Sequence, residues 1–280
     1  MDHVRPAAVA GLFYPSDPAA LARTVDRLLE EAHAARGPVG QPVKGIVAPH
    51  AGYAYSGSVA AAAYDRLRED AARVRRVVLL GPAHRAHVRG LALPGVAAFE
   101  TPMGPIPIDE SAVAAITGLP QVVTSSAAHA REHSLEVQLP FLQRVFKRAA
   151  SSASRAWPPE LAVLPLAVGE ASADEVAAVL ERVWGGPETR IVVSSDLSHF
   201  LGYWDARRAD RETAQHITDL EPVDPSRACG ARPLNGLLAL ARRRGMSIEL
   251  LALRSSGDAG GSHDEVVGYG AFAVREGGAA

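Results

Sequence analysis

Lys44-Gly-Ile-Val-Ala-Pro-His50-Ala-Gly, Arg76-Val-Val-Leu-Leu-Gly-Pro-Ala-His84 and Arg190-Ile-Val-Val-Ser-Ser-Asp196-Leu-Ser-His199 follow one plan: an apolar, β-branched run ends in a turn carrying a histidine. Short continuous apolar runs mark strands buried on both faces, and in α/β proteins such strands lie parallel. Parallel strands deliver the loops at their carboxyl ends to one rim of the sheet, where such folds bind ligands. Three imidazoles placed there would converge on one metal or one substrate.

Outward from these runs, strands and helices alternate along the chain. Asp17 caps a helix opened by Pro18 and faced with Leu21, Val25, Leu28 and Leu29, and Gly37-Pro-Val-Gly-Gln-Pro ends it. Strand 44–48 is followed by a small-residue helix through Ser58, and strand 76–80 by a short strand near Leu91. Phe99-Glu-Thr-Pro-Met-Gly-Pro-Ile-Pro-Ile-Asp cannot be regular helix, because its prolines remove donors and fix φ. Asp109 caps the next helix, and Val122-Val-Thr is a short strand. A helix opens at Glu132, with Leu135, Leu139 and Leu142 facing inward and Pro140 kinking it. Ser151-Ser-Ala-Ser is a surface linker before strand 161–166. Helix 172–184, strand 190–194, a helix from Trp204 to Leu220, helix 233–244 and strands 247–253 and 266–274 complete the pattern. No composition break separates two halves, so residues 1–280 read as a single α/β domain with a mostly parallel or mixed sheet flanked by helices.

A net charge of -2 with interspersed signs lacks the cationic footprint of nucleic-acid binding, leaving small molecules or peptides as ligands. The single cysteine, Cys229, excludes an internal disulfide framework and suits a reducing cytoplasm. No apolar window is long enough to cross a membrane, and Met1-Asp-His-Val-Arg-Pro lacks a signal-peptide core. A soluble, cytoplasmic protein with no nucleic-acid or membrane partner is expected.

His50 and His84 occupy equivalent places after two strands, which favours a metal or catalytic site over two unrelated loop histidines. Imidazole suits iron, zinc and copper alike. Asp196 and His199 place a carboxylate beside an imidazole, the arrangement that holds a tautomer or builds a general base, as against a helix-capping Asp with an exposed histidine. His133, flanked by Glu132 and Glu136, reads equally well as a functional histidine or as part of a surface first turn whose acids suit the helix dipole. Cys229 lies just before a helix, a place that lowers a thiol's pKa, so it could bind metal or attack a carbonyl with His199 or His133 as base; a buried inert thiol is the other reading. His3, His33, His87, His129, His216 and His263 read as surface residues. No dinucleotide or phosphate-binding glycine motif is present.

Taken in order, Arg5-Pro-Ala, Gly11-x-Phe-Tyr-Pro15, Ala48-Pro-His-Ala-Gly-Tyr53 with Ser56-Gly57, Leu80-Gly-Pro-x-His84, Thr101-Pro102, Glu132-His-Ser-x-Glu136-x-Gln-Leu-Pro140, Ser194-Ser-Asp-x-Ser-His199 and Cys229-Gly-x-x-Pro233 resemble the Memo family. Its prokaryotic members are called AmmeMemoRadiSam system protein B. The resemblance spans nearly the whole chain and implies a fold like that of the class III extradiol dioxygenases, which hold non-haem Fe(II) with two histidines and a glutamate. It implies that His50 and His84 match the two histidine ligands and that Cys229 replaces the carboxylate. His199 then matches the catalytic base, His133 a second active-site histidine, and Asp196 a supporting group that holds His199. Thiolate in place of carboxylate softens the site toward Cu or Zn, so ring cleavage does not simply follow. The resemblance further implies AMMECR-type and radical SAM partners. Its alternatives are a peptide-binding adaptor, for which only Arg85 offers a nearby phosphate ligand, and a metal-free cysteine hydrolase.

Overall fold

A computed structural model describes residues 3–37, 42–149 and 161–277; the Ser151-Ser-Ala-Ser stretch lies outside them. In chain order the strands are β1 (Val4–Arg5), β2 (Gly45–Ala48), β3 (Arg76–Pro82), β4 (Leu91–Leu93), β5 (Ala98–Thr101), β6 (Gly104–Pro107), β7 (Val122–Thr124), β8 (Ala162–Val168), β9 (Thr189–Ser194), β10 (His199–Leu201), β11 (Ser247–Ser255) and β12 (Val266–Arg275). The helices are α1 (Pro18–Ala35), α2 (Tyr53–Tyr64), α3 (Glu110–Ile116), α4 (Ser126–Ala130), α5 (His133–Glu136), α6 (Leu139–Ala149), α7 (Ala173–Arg182), α8 (Tyr203–Thr218) and α9 (Ala231–Arg243).

The continuous apolar runs become the centre of a nine-stranded mixed sheet ordered β10-β12-β2-β9-β3-β8-β4-β7, with β11 on the other side of β12. β2, β9, β3 and β8 are mutually parallel, whereas β12 and β4 flank this block antiparallel. The runs lack alternation because both faces are covered. Val77 and Leu79 enter the core shared with α1, α2 and α6, and Val78 and Leu80 enter the core shared with α7, α8 and α9. Each of these four side chains is fully buried, and each contributes about 1.5–3 kcal/mol of apolar burial.

Helix starts follow the capping chemistry. The Asp17 carboxylate accepts from the Ala20 N–H at 2.7 Å and Asp109 from the Ala112 N–H at 2.8 Å, while Ser172 and Glu175 form a reciprocal box before α7. One expectation holds and one changes. The Pro/Gly-rich excursion is a β5–β6 hairpin in a separate three-stranded sheet with β1, turned through Gly104 at a φ of 109°. Pro140 does not kink a helix; it sits in the first turn of α6, where its missing N–H is no loss, and α5 is a separate turn before it. Among the described residues no helix is long and apolar enough to cross a membrane.

Candidate metal centre

β2, β9 and β3 are adjacent and parallel, so the segments after them meet at one rim. His50 leaves β2, His84 leaves β3 and Asp196 leaves β9, while Cys229 arrives from the approach to α9. Two glycines permit the convergence. A Cβ on Gly230 would lie 2.5 Å from the Ser194 carbonyl oxygen, and one on Gly81 would lie 2.7 Å from the Ser134 hydroxyl. The Cys229 backbone therefore seats directly on the end of β9, and the α5 turn directly on the end of β3.

The ligating atoms of His50, His84 and Cys229 all lie within 4.8 Å of one another. The Cys229 thiol sulfur is 3.3 Å from His50 Nε2. The His50 and His84 rings meet edge-on with centroids 5.3 Å apart, and His133 stacks on His84 at 4.9 Å. Phe13 covers His133 at 4.8 Å. His50 is buried and His84 faces solvent, its side chain 29% exposed.

Proton counting fixes the tautomers. Ser194 Oγ has one hydrogen and gives it to the Ser134 carbonyl at 2.7 Å; it accepts from Gln138 Nε2 at 3.0 Å. The 2.7 Å contact from His50 Nδ1 to the same oxygen must then be an N–H donated by His50. His84 Nδ1 lies 3.0 Å from Glu132 Oε1. Burial acts to raise the Glu132 carboxyl, but its bond to His84, the His84 charge and the N–H groups of Ser134 and His84 outweigh it and pull it down to about 2. Glu132 is thus ionised and only accepts, so His84 Nδ1 donates. His199 Nδ1 donates to the Leu197 carbonyl at 2.8 Å by the same logic. In a neutral ring with Nδ1 committed in this way, Nε2 is the nitrogen left to accept.

Burial, reinforced by the neighbouring His84, lowers the His50 pKa to about 3, and burial with His50 lowers that of His133 to about 4. Burial and the Asp196 carboxyl push the Cys229 thiol up, which overrides the expected benefit of the helix start. Burial also raises the Asp196 carboxyl. Two imidazoles and one thiol thus face one another. That donor set fits a first-row transition metal, and a cation would displace the Cys229 proton on binding.

Several expectations need correction. Asp196 does not hold His199: its Oδ1 accepts from the His50 backbone N–H at 2.8 Å, its Oδ2 lies 3.9 Å from His50 Nε2, and the Leu197 carbonyl orients His199 instead. His129 is no surface residue but is 1% exposed, bonded through Nε2 to the Ala92 carbonyl at 2.8 Å. The surface reading of Glu132 and Glu136 fails, since both are buried. Glu132 grips His84 twice, through Nδ1 and through the backbone N–H at 2.6 Å. Sequence reading missed this role and that of Ser194, although both residues stand inside the quoted motifs.

Comparison with known proteins extends these findings to the whole chain. A family model described as Memo-like protein matches residues 5–273. A MEMO1 family protein of Methanopyrus kandleri is 35% identical, over 98% of this chain and 99% of its own length. MEMO1 family proteins of Thermoplasma volcanium and Thermotoga maritima are 31% and 32% identical, each over 95% of this chain and over 96% and 97% of their own lengths. A family model that covers nearly the whole chain and relatives above 30% identity along their full lengths show the family: the chain belongs to the Memo family.

Proposed function

We propose that His50, His84 and Cys229 hold a redox-active first-row metal and that the protein carries out redox or oxygenase-type chemistry on a small molecule. Fe(II) is the leading candidate, with Cu or Zn as alternatives. The observation that carries this reading is the convergence of one ligating nitrogen each from His50 and His84 with the Cys229 thiol, all within 4.8 Å of one another. When bound, iron or copper supplies one-electron chemistry that no side chain of this site can.

The chain's own residues then divide the remaining work. Glu132 and Ser194 hold the His84 and His50 rings from their far nitrogens, which aims both Nε2 atoms inward. His199, with Nδ1 committed to Leu197, has Nε2 free to take a proton from a bound ligand. His133 stands against His50 at 5.4 Å and presents a neutral, partly apolar face with Phe13. Asp196 fixes the His50 backbone and adds negative charge beside the cluster.

A metal-free cysteine hydrolase suits this geometry less well. Such an enzyme needs a thiolate–imidazolium pair, whereas here burial drives the thiol up and the candidate base His133 down. AMMECR-type and radical SAM partners are proposed through the family resemblance and a cytoplasmic location through the lone Cys229 thiol; a peptide-adaptor role is the alternative, and co-purification addresses the partners. The deciding test is anaerobic purification with metal analysis of the wild type and a His50→Ala/Cys229→Ala double variant. The wild type is expected to carry near-stoichiometric metal and the variant none; a variant that keeps wild-type Fe, Cu or Zn ends the proposal.

A further inference from the structure

β11 is an edge strand. It pairs with β12 alone, and its outer side meets no other strand among the described residues. In an antiparallel ladder every second residue turns its N–H and C=O away from the partner, so this edge is open to a further strand up to Leu253, beyond which the Ser255 N–H is taken by Asp258 at 2.7 Å. The register shifts between Leu250 and Ala252, and the stretch beyond the shift is bordered by a hollow on each face of the sheet.

One hollow, of about 370 Å³, lies between α8 and β11 and includes Arg207, Arg211 and Leu253; the other, of about 380 Å³, lies between α1, α2 and β11 and includes Arg66 and Leu251. They open on opposite faces, since α2 packs in one core cluster and α8 in the other. Arg254 borders both. The carboxylates nearby are already engaged. Glu31 pairs with Arg27 at 2.8 Å, Asp210 accepts from the Ser198 N–H at 3.0 Å, and Asp258 accepts from the Tyr203 hydroxyl at 2.6 Å and the Ser255 N–H at 2.7 Å. By contrast, the guanidinium groups of Arg66, Arg211 and Arg254 have no ion pair or hydrogen bond among the described residues. Arg207 donates only to the Tyr203 hydroxyl and lies over that ring.

We propose that the outer edge of β11 over residues 251–254 docks an extended acidic segment of a partner protein, which adds as a further strand. Successive side chains of an added strand point to opposite faces, so they enter the two hollows in turn. Acidic side chains there meet Arg207, Arg211 and Arg254 on one face and Arg66 and Arg254 on the other. Leu251, Ala252 and Leu253, half-buried along the edge, receive the apolar parts. A second copy of this chain is the poorer occupant, because edge-to-edge pairing would set these arginines against one another. This surface shares no residue with the histidine–cysteine cluster, so the inference stands apart from the metal reading.

The probe is a fluorescein-labelled octapeptide alternating valine and glutamate, followed by anisotropy. Saturable binding is expected, weakening with salt, with none for the valine–lysine counterpart. An Arg211→Glu/Arg254→Glu variant, shown folded by circular dichroism, should lose about tenfold or more in affinity, and Arg66→Glu on the other face less. N-methylation of alternate peptide bonds should abolish binding, because it blocks strand addition without touching charge. The proposal is overturned by absence of saturable binding, by indifference to N-methylation or charge reversal, or by sedimentation showing this edge closed by a second copy.

Discussion

Two buried polar clusters hang from the same short turn, and they are built to opposite ends. Glu136, wholly buried, accepts from Arg5 Nη1 at 2.6 Å, from the Ala8 and Val9 N–H groups at 2.8 and 2.9 Å, and from the Tyr14 hydroxyl at 2.6 Å. Arg5 spends its other donors on the His129 and Glu132 carbonyls. Glu136 thus accepts from four groups, and all three guanidinium nitrogens of Arg5 donate. One helical turn earlier, Glu132 holds His84, and the cluster beyond it brings one ligating nitrogen each from His50 and His84 within 4.8 Å of the Cys229 thiol, which reaches His50 Nε2 at 3.3 Å. A saturated cluster stabilises the fold, whereas the second has the donor set that would suit a transition metal. The saturated one also fixes the other, since it ties the α5 turn to the N-terminal segment.

The largest effect should come from breaking the saturated cluster. Glu136→Ala leaves the Arg5 guanidinium buried without its partner, which costs about 3–5 kcal/mol. His50→Ala, made in the second cluster, should change the stability of the metal-free protein far less. Urea unfolding of both metal-free variants checks this; equal losses would erase the distinction.

The pH dependence of the metal-free protein should separate the regions next. In the unfolded chain the imidazoles bind protons near pH 6.5, whereas the folded protein holds His50 off to about 3 and His133 and His129 to about 4. The unfolded chain therefore binds more protons below pH 6.5. Stability is full above that value and declines as the pH falls toward the folded pKa values, by up to ~1.4 kcal/mol per pH unit for each histidine. Asp196 and Asp210, whose carboxyls burial raises, carry the opposite sign and reduce the net slope. Denaturation midpoints between about pH 7.5 and 5 read the slope. A His133→Asn/His129→Asn variant should flatten it, and an unchanged slope would show that these imidazoles charge freely in the folded state.

Much of this was legible in the chain, for identifiable reasons. Strands β2, β3 and β9 are buried on both faces, so their apolar runs are unbroken and the histidines that end them stand out. Cys229 has no such signal: 179 positions separate it from His50, and only family resemblance joined the two. Glu132 was hidden differently. An acid at a helix start looks like a cap, and it is one, accepting from the Ser134 N–H at 2.9 Å. The same carboxylate also faces His84, a contact set by how α5 seats on Gly81 rather than by any local pattern. His129 was misread because an isolated histidine gives no sign of burial; its site is made by Ala92 and Phe99, distant in sequence.

Glu132 tests whether the turn that joins the two clusters also tunes the metal. Glu132→Gln keeps an acceptor oxygen for His84 but removes the charge, and loss of such a supporting carboxylate typically weakens metal binding by about 10–100-fold. Competition against a chromophoric chelator measures it, and the Glu136 cluster, untouched, should keep the fold. Full affinity in the variant would mean that His84 needs no charged support.

Ser194→Ala should produce the smallest change, and the reason follows from the proton count. Removing the hydroxyl leaves the Ser134 carbonyl without its donor, the Gln138 amide without one of its acceptors, and His50 Nδ1 with no partner. The amide still reaches the Pro49 carbonyl at 2.9 Å, so the helix side of the network holds. The imidazole is neutral in either tautomer, and each places one hydrogen that a buried ring must satisfy. With no acceptor at Nδ1, the hydrogen can move to Nε2, toward Cys229, which removes the lone pair that faces the cluster. A lost hydrogen bond of about 1 kcal/mol then appears as a fall of roughly fivefold in metal affinity, smaller than that of Glu132→Gln because no charge is lost. Ser194→Thr, which restores the hydroxyl, should recover most of it; failure of threonine to do so while the fold is intact would show that shape at β9, not the tautomer of His50, is what Ser194 provides.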